Sequence, residues 1–180
     1  MMRRVLFAFL LVLSFVGCST PNAERVLADS LIANSQKYLG KTVEIEGTVV
    51  HVCGANAQKM KLKTEKGSVI MIAASAEIPA FSRKLSGERI RVVGLVRESV
   101  VDSSYVSNSE KQKSLLCHID NTPCKDSAWV RRQIDAGRVD SLSQRDIRRL
   151  RGTMSATGKS FVATVVVEAV QIEVIKKENR

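Results

Sequence analysis

The spacing of apolar residues changes rhythm several times along this chain, and each change predicts an element. An unbroken apolar run extends from Val5 to Val16. Over residues 23–39, Val26, Leu27, Leu31 and Tyr38 fall on one helical face, with Asn22 as N-cap after Pro21 and Gly40 as the stop. From Thr42 to Val52 the period drops to two, with Val43 and Ile45 on one face and Gly47 interrupting as at a bulge where a strand bends. Lys59-Met60-Lys61-Leu62-Lys63 alternates cleanly. The turn residues Glu65-Lys66-Gly67-Ser68 then lead into a returning strand, 68–73. A short helix or loop at 78–85 precedes a fourth strand, 89–97, with Ile90, Val92 and Leu95 apolar and Gly94 inside it.

The stretch 98–160 is polar and reads as an insertion. It contains predicted helices at 128–136 and 143–151, the second opened by Ser143 with Asp146 three residues on, a capping-box pattern. Residues 161–175 are β-branched and form a long fifth strand. No internal repeat is present. The fold class is therefore mainly β with helical additions.

Two short patterns sharpen this. Gly40-Lys41-x-Val43-x-Ile45-x-Gly47-x-Val49 and Gly87-x-Arg89-Ile90-x-Val92-x-Gly94 resemble the first and fourth strands of OB-fold domains. The chain is similar here to small secreted OB-fold lipoproteins and to the tRNA-anticodon-binding-like families, over residues 37–97 and 161–175. The resemblance implies a five-stranded OB-fold barrel with an N-terminal helix and the insertion between strands 4 and 5. Such barrels bind on the strand 2–3 face and at the loops joining strands 1–2 and 4–5.

The N-terminus bears on address. Arg3 and Arg4 precede the Val5–Val16 run, which is too short for a bilayer of roughly 30 Å that takes about 20 helical residues. A basic start and a short apolar run make a secretory signal. The run ends Ser14-Phe15-Val16-Gly17-Cys18-Ser19, which resembles a bacterial lipobox with Phe15 in place of the usual Leu. The resemblance implies a signal peptide at 1–17, a diacylated Cys18, a tether at 18–22 and a single domain at 23–180. The expected address is the bacterial cell envelope, anchored by lipid, and Ser19 favours the outer membrane. Without Arg3 and Arg4 the formal charge falls from +10 to +8, which favours anionic partners.

Charge alone does not make a nucleic-acid binder. Lys59, Lys61 and Lys63 point out together from their strand, with Lys66 nearby, and form the candidate binding face. Stacking on single strands needs aromatic platforms, worth about 1–3 kcal/mol per base, and strands 2 and 3 carry none. In the insertion, Arg145, Arg148 and Arg149 share a helical face. Asp135, Asp140 and Asp146 are available to neutralise it, so a solvated helix is favoured over a lipid-headgroup surface.

Cysteine and histidine carry the remaining chemistry. Of 4 cysteines, lipid would consume Cys18, leaving Cys53, Cys117 and Cys124. An oxidising compartment favours pairing. Asp120-Asn121-Thr122-Pro123 is turn chemistry that would bring Cys117 and Cys124 together, and so small a loop gains on the order of 2.5 kcal/mol. A bridge from Cys53 to the insertion is the other pairing. If alternation persists, His51 and Cys53 share a face, and with Cys117, His118 and Cys124 they offer a zinc or soft-copper ligand set. Their spacings match no standard metal pattern. No G-x-S-x-G or Walker A loop is present, and no base and orienting group are singled out for a nucleophile. The sequence thus points to a non-enzymatic envelope module without cofactor that binds another envelope component or an anionic ligand. The alternatives are a metal-binding or redox-sensitive protein using the His and Cys cluster, and polyanion binding by the lysine face.

Overall fold

Every period-two stretch is strand in the computed structural model, which describes residues 22–53 and 56–175. The chain order is β1 (Glu24–Arg25), α1 (Ala28–Ala33), α2 (Ser35–Tyr38), β2 (Thr42–Cys53), β3 (Lys59–Lys63), β4 (Val69–Ala73) and a 3-10 turn (Arg83–Leu85). It continues with β5 (Arg89–Asp102), α3 (Ser103–Lys111), α4 (Ser127–Asp135), α5 (Val139–Thr157) and β6 (Phe161–Val174). The fold is mainly β: one six-stranded sheet with helices added.

Pairing follows the apolar faces. β2 lies antiparallel to β3, β3 to β4, β5 to β6 and β5 to β2, while β4 and β6 run parallel. The order β2-β3-β4-β6-β5 therefore returns to β2. Inside lie Val43, Ile45, Val49, Met60, Leu62, Ile70, Ile72, Ile90, Val92, Val96, Val167 and Ala169, with Leu31, Tyr38 and Phe81 packed in the same core. Burying each such large side chain stabilises the fold by roughly 1.5–3 kcal/mol.

Two glycines mark close backbone approach. A Cβ on Gly47 would lie 2.7 Å from the Lys63 carbonyl oxygen, and one on Gly94 would strike the Glu168 carbonyl. Gly47 is therefore a contact point and not the bulge. The β2–β3 register shifts between Val49 and His51, with Val49 opposite Leu62 and His51 opposite Lys61. One extra residue inverts the side-chain phase of a strand. Val49 faces the core, and His51 and Cys53 beyond the bulge face outward beside Lys61 and Lys59.

Three further expectations are corrected. The single N-terminal helix is a two-residue strand and two short helices. β5 occupies one side of β2 from Thr42 to Thr48, and β3 takes the other only from Thr48 onward, which leaves an open edge. β1 fills that edge in parallel, opposite Val43 and Glu44, and Arg25 pairs with Glu44 and Glu46. The sheet thus has six strands in place of five. The insertion also begins later than residue 98, because β5 continues to Asp102 and pairs with β6 as far as Phe161.

The insertion has its own small core: Val101, Val106, Leu116, Ile147 and Leu150, with Tyr105, Met154 and Val162 against them. Helix α4 matches the expected helix and is capped by Asp126, whose carboxylate accepts from the Trp129 amide at 2.9 Å. Helix α5 is longer than expected and ends at Gly158, with φ +65°. Ser143 is buried inside it, so the expected capping box there does not form. Helix α3 was not anticipated.

Candidate functional site

The outer side of the sheet carries two rows of residues. His51, Lys61, Met71 and Val166 stand opposite one another across β2, β3, β4 and β6, and Cys53, Lys59, Ala73 and Glu168 form the next row. A hairpin of the insertion, 115–124, sits on these rows. Within it the Cys117 amide donates to the Thr122 carbonyl at 2.7 Å and the Cys124 amide to the Leu115 carbonyl at 2.8 Å. Asn121 takes the left-handed conformation at the turn, with φ +60°. The turn forms, but over His118–Asn121 and not at Asp120–Pro123: Thr122 and Pro123 already lie on the returning arm, opposite Cys117 and Leu116. Tyr105 Oη donates to the Asn121 carbonyl at 2.8 Å, and Arg149 Nη2 to Asn121 Oδ1 at 2.6 Å, which fixes the hairpin to α3 and α5.

Four contacts join hairpin to rows. Cys117 and Ile119 pack with Met71 and Val166 in a buried apolar patch. Lys59 Nζ donates to an Asp120 carboxylate oxygen and, at 3.1 Å, to Thr122 Oγ1. The sulfurs of Cys53 and Cys117 are 3.6 Å apart. The rings of His51 and His118 meet edge to face with centroids 4.7 Å apart.

Burial dominates the electrostatics. It opposes ionisation of Asp120, but the bonds from Lys59 and Thr122 outweigh it and hold the carboxyl below its ordinary value. Burial, reinforced by the adjacent Cys117, pushes the Cys53 thiol up to about 12. Burial and then nearby Lys61 lower both imidazoles, with Arg83 adding to this at His51 and with His51 and Arg145 adding to it at His118. Burial and a net positive surrounding thus disfavour the protonated form of both histidines. Beside them opens a cleft of about 400 Å³ lined by His51, Cys53, Arg83, His118, Cys124, Trp129 and Arg145, among others.

The sequence-derived candidates are divided by this geometry. Lys59 and Lys61 lie partly under the insertion. Lys63 and Lys66 remain exposed, and the Lys66 amide donates to Asp29 at 3.3 Å. His51, Cys53, Cys117, His118 and Cys124 do gather, but among the described residues no three metal-ligating side chains converge to hold an ion. Among the described residues the cysteines, Cys53, Cys117 and Cys124, are free thiols. In the hairpin register Cys117 faces Thr122 and Cys124 faces Leu115, which sets the two cysteines on a diagonal. The arginines of the insertion are largely partnered: Arg131 with Asp135, Arg145 with Asp146 and Arg151 with Glu110. Asp140 pairs with Lys113 instead. Sequence reasoning gave no role to Arg83 or Tyr105, which sit in no pattern of their own. Cys18 lies outside the described residues.

No family model matches the sequence, and no curated protein matches it. Among the solved structures that match in part are the following two. One is replication protein A of U. maydis bound to ssDNA, with a TM-score of 0.31 and 24% identity over 42% of this chain and 58% of that one. The other is an aspartyl-tRNA synthetase from Leishmania major Friedlin, with a TM-score of 0.36 and 10% identity over 93% of this chain and 23% of that one. The chain thus spans less than two thirds of the length of either.

Proposed function

We propose that this chain is a non-enzymatic OB-fold binding module, held at the bacterial cell envelope by lipid on Cys18, which takes a small anionic ligand in the cleft between β2 and the insertion. The OB-fold reading is supported by the order β2-β3-β4-β6-β5-β2, with β4 and β6 parallel, which suits a small Greek-key barrel. The observation that carries the ligand reading is the seating of the hairpin. It covers the outer side of β3 and β4 with Cys117, Ile119 and Asp120, the face on which such barrels bind. The neighbouring cleft stays open and is lined by Arg83, Arg145, His51, His118 and Trp129. Asp126 and Asp146 offset part of the positive charge. Lys61, opposite His51 on the neighbouring strand, restores the balance toward anions. Arginine suits carboxylate and phosphate because its planar fork donates two parallel hydrogen bonds.

The chain contains 1 Trp, and Trp129 lines the cleft, so its emission reports occupancy. Full-length protein in detergent is titrated with inorganic phosphate, citrate and a mononucleotide. The reading expects a saturable change with at least one of them, weakened tenfold or more by Arg145→Glu. No saturable change with any, or equal binding by the variant, overturns it. A single-stranded oligonucleotide retained at low salt and released at high salt would instead favour the polyanion alternative.

A further inference from the structure

We propose that Cys53 and Cys117 form a disulfide that ties the outer end of β2 to the insertion hairpin, with Cys124 left as a thiol. The pair stands whether or not the cleft takes an anion. The two sulfurs are already 3.6 Å apart, against about 2 Å in a disulfide. Contacts that involve neither cysteine hold them there: Lys59 with Asp120, His51 with His118, and Ile119 against Met71 and Val166. Closing the bond therefore takes a local movement and no refolding. Cys124 is held differently, by a hydrogen bond from its backbone amide to the Leu115 carbonyl opposite, and it borders the cleft on the side of Trp129.

The chemistry balances with a disulfide as oxidant, the class of reagent that an oxidising compartment supplies. One S–S bond of the oxidant breaks. The Cys53 and Cys117 thiols each lose a hydrogen, the Cys53–Cys117 bond forms, and two thiols leave carrying the two protons and the two electrons. The product is neutral, so the burial that disfavours a Cys53 thiolate does not oppose it. The bridge would span 64 positions in sequence, and loop-closure entropy makes so long a link effective against unfolding. Its effect on the fold is to fasten the insertion over the β3–β4 face.

The test uses full-length protein in detergent treated with oxidised glutathione and then alkylated. Trypsin leaves Cys117 and Cys124 in one peptide, so a second cleavage at Asp120 separates them before mass mapping. The expected result is a Cys53–Cys117 linkage with Cys124 alkylated, in the wild type and in Cys124→Ser alike. The oxidised form should melt about 10 °C above the reduced form, a rise absent in Cys53→Ser. A Cys117–Cys124 or Cys53–Cys124 linkage, or three alkylated thiols after oxidation, overturns the assignment.

Discussion

Lys59 of β3 and Asp120 of the insertion hairpin form an ion pair at the junction of sheet and insertion, with 26% and 10% of their side chains exposed. A pair this shielded is weak evidence for stability when whole and costly when halved, because the remaining charge keeps its burial without its partner. Asp120→Asn should therefore destabilise the protein by about 2 kcal/mol in urea unfolding at pH 7, and Lys59→Met together with Asp120→Leu should recover most of the loss. The sign with pH is fixed by the depressed carboxyl of Asp120. Its contribution is present above the ordinary aspartate value of 3.8 and is lost as pH falls below it.

The histidine pair acts in a different window. Both imidazoles titrate below their ordinary 6.5 in the folded state, because burial, Lys61, Arg83 and Arg145 disfavour the cation and only Asp146 favours it. Above that value both folded and unfolded histidines are neutral and contribute no pH dependence. As pH falls through it, the unfolded chain takes up protons first and folding stability drops. The sequence has 2 histidines, both in this pair. Urea midpoints should therefore fall between pH 7.5 and pH 5 in the wild type. His51→Asn together with His118→Asn should flatten that fall, and an unchanged slope would contradict the arrangement.

The strands were legible because their pattern is local. Met60 and Leu62 between Lys59, Lys61 and Lys63 announce a half-buried strand without reference to anything else. β1 was illegible for the opposite reason: Glu24 and Arg25 are strand only because β2 offers an open edge there. Helix α3 was missed because only Val106 and Ser109 along it are buried, and Val106 packs on Ile147 and Leu150 far along the chain. At the site, alternation correctly paired His51 with Cys53, but the bulge before His51 decides that they face outward. Which residues of the insertion meet them depends on how α3 and α5 seat the hairpin, through Tyr105 and Arg149. No spacing in the sequence carries that information.

The proposed lipid anchor rests on Cys18. If the lipobox resemblance is right, Cys18→Ala leaves no thiol to acylate, and the protein should move from the membrane to the soluble fraction on cell fractionation. A single acyl chain binds membranes only marginally, and a diacylated Cys18 would supply the two chains that stable anchoring takes. Retention of the variant on membranes would show that another segment or a partner holds it there.

Gly94 tests the sheet itself. A Cβ there would meet the Glu168 carbonyl and Val167 Cγ1, where the antiparallel pairing of β5 and β6 shifts register between Val93 and Gly94. Backbone on one side and a core side chain on the other leave little room to yield. Gly94→Ala should therefore cost about 3 kcal/mol, at the upper end for overpacking. Gly152 in α5 provides the control, since nothing lies within 4 Å of a Cβ built there. Alanine in a helix interior is favoured over glycine by roughly 0.5–1 kcal/mol, so Gly152→Ala should raise the melting temperature. The two opposite shifts, read in one thermal unfolding series, separate close backbone approach at Gly94 from a general sensitivity to glycine replacement.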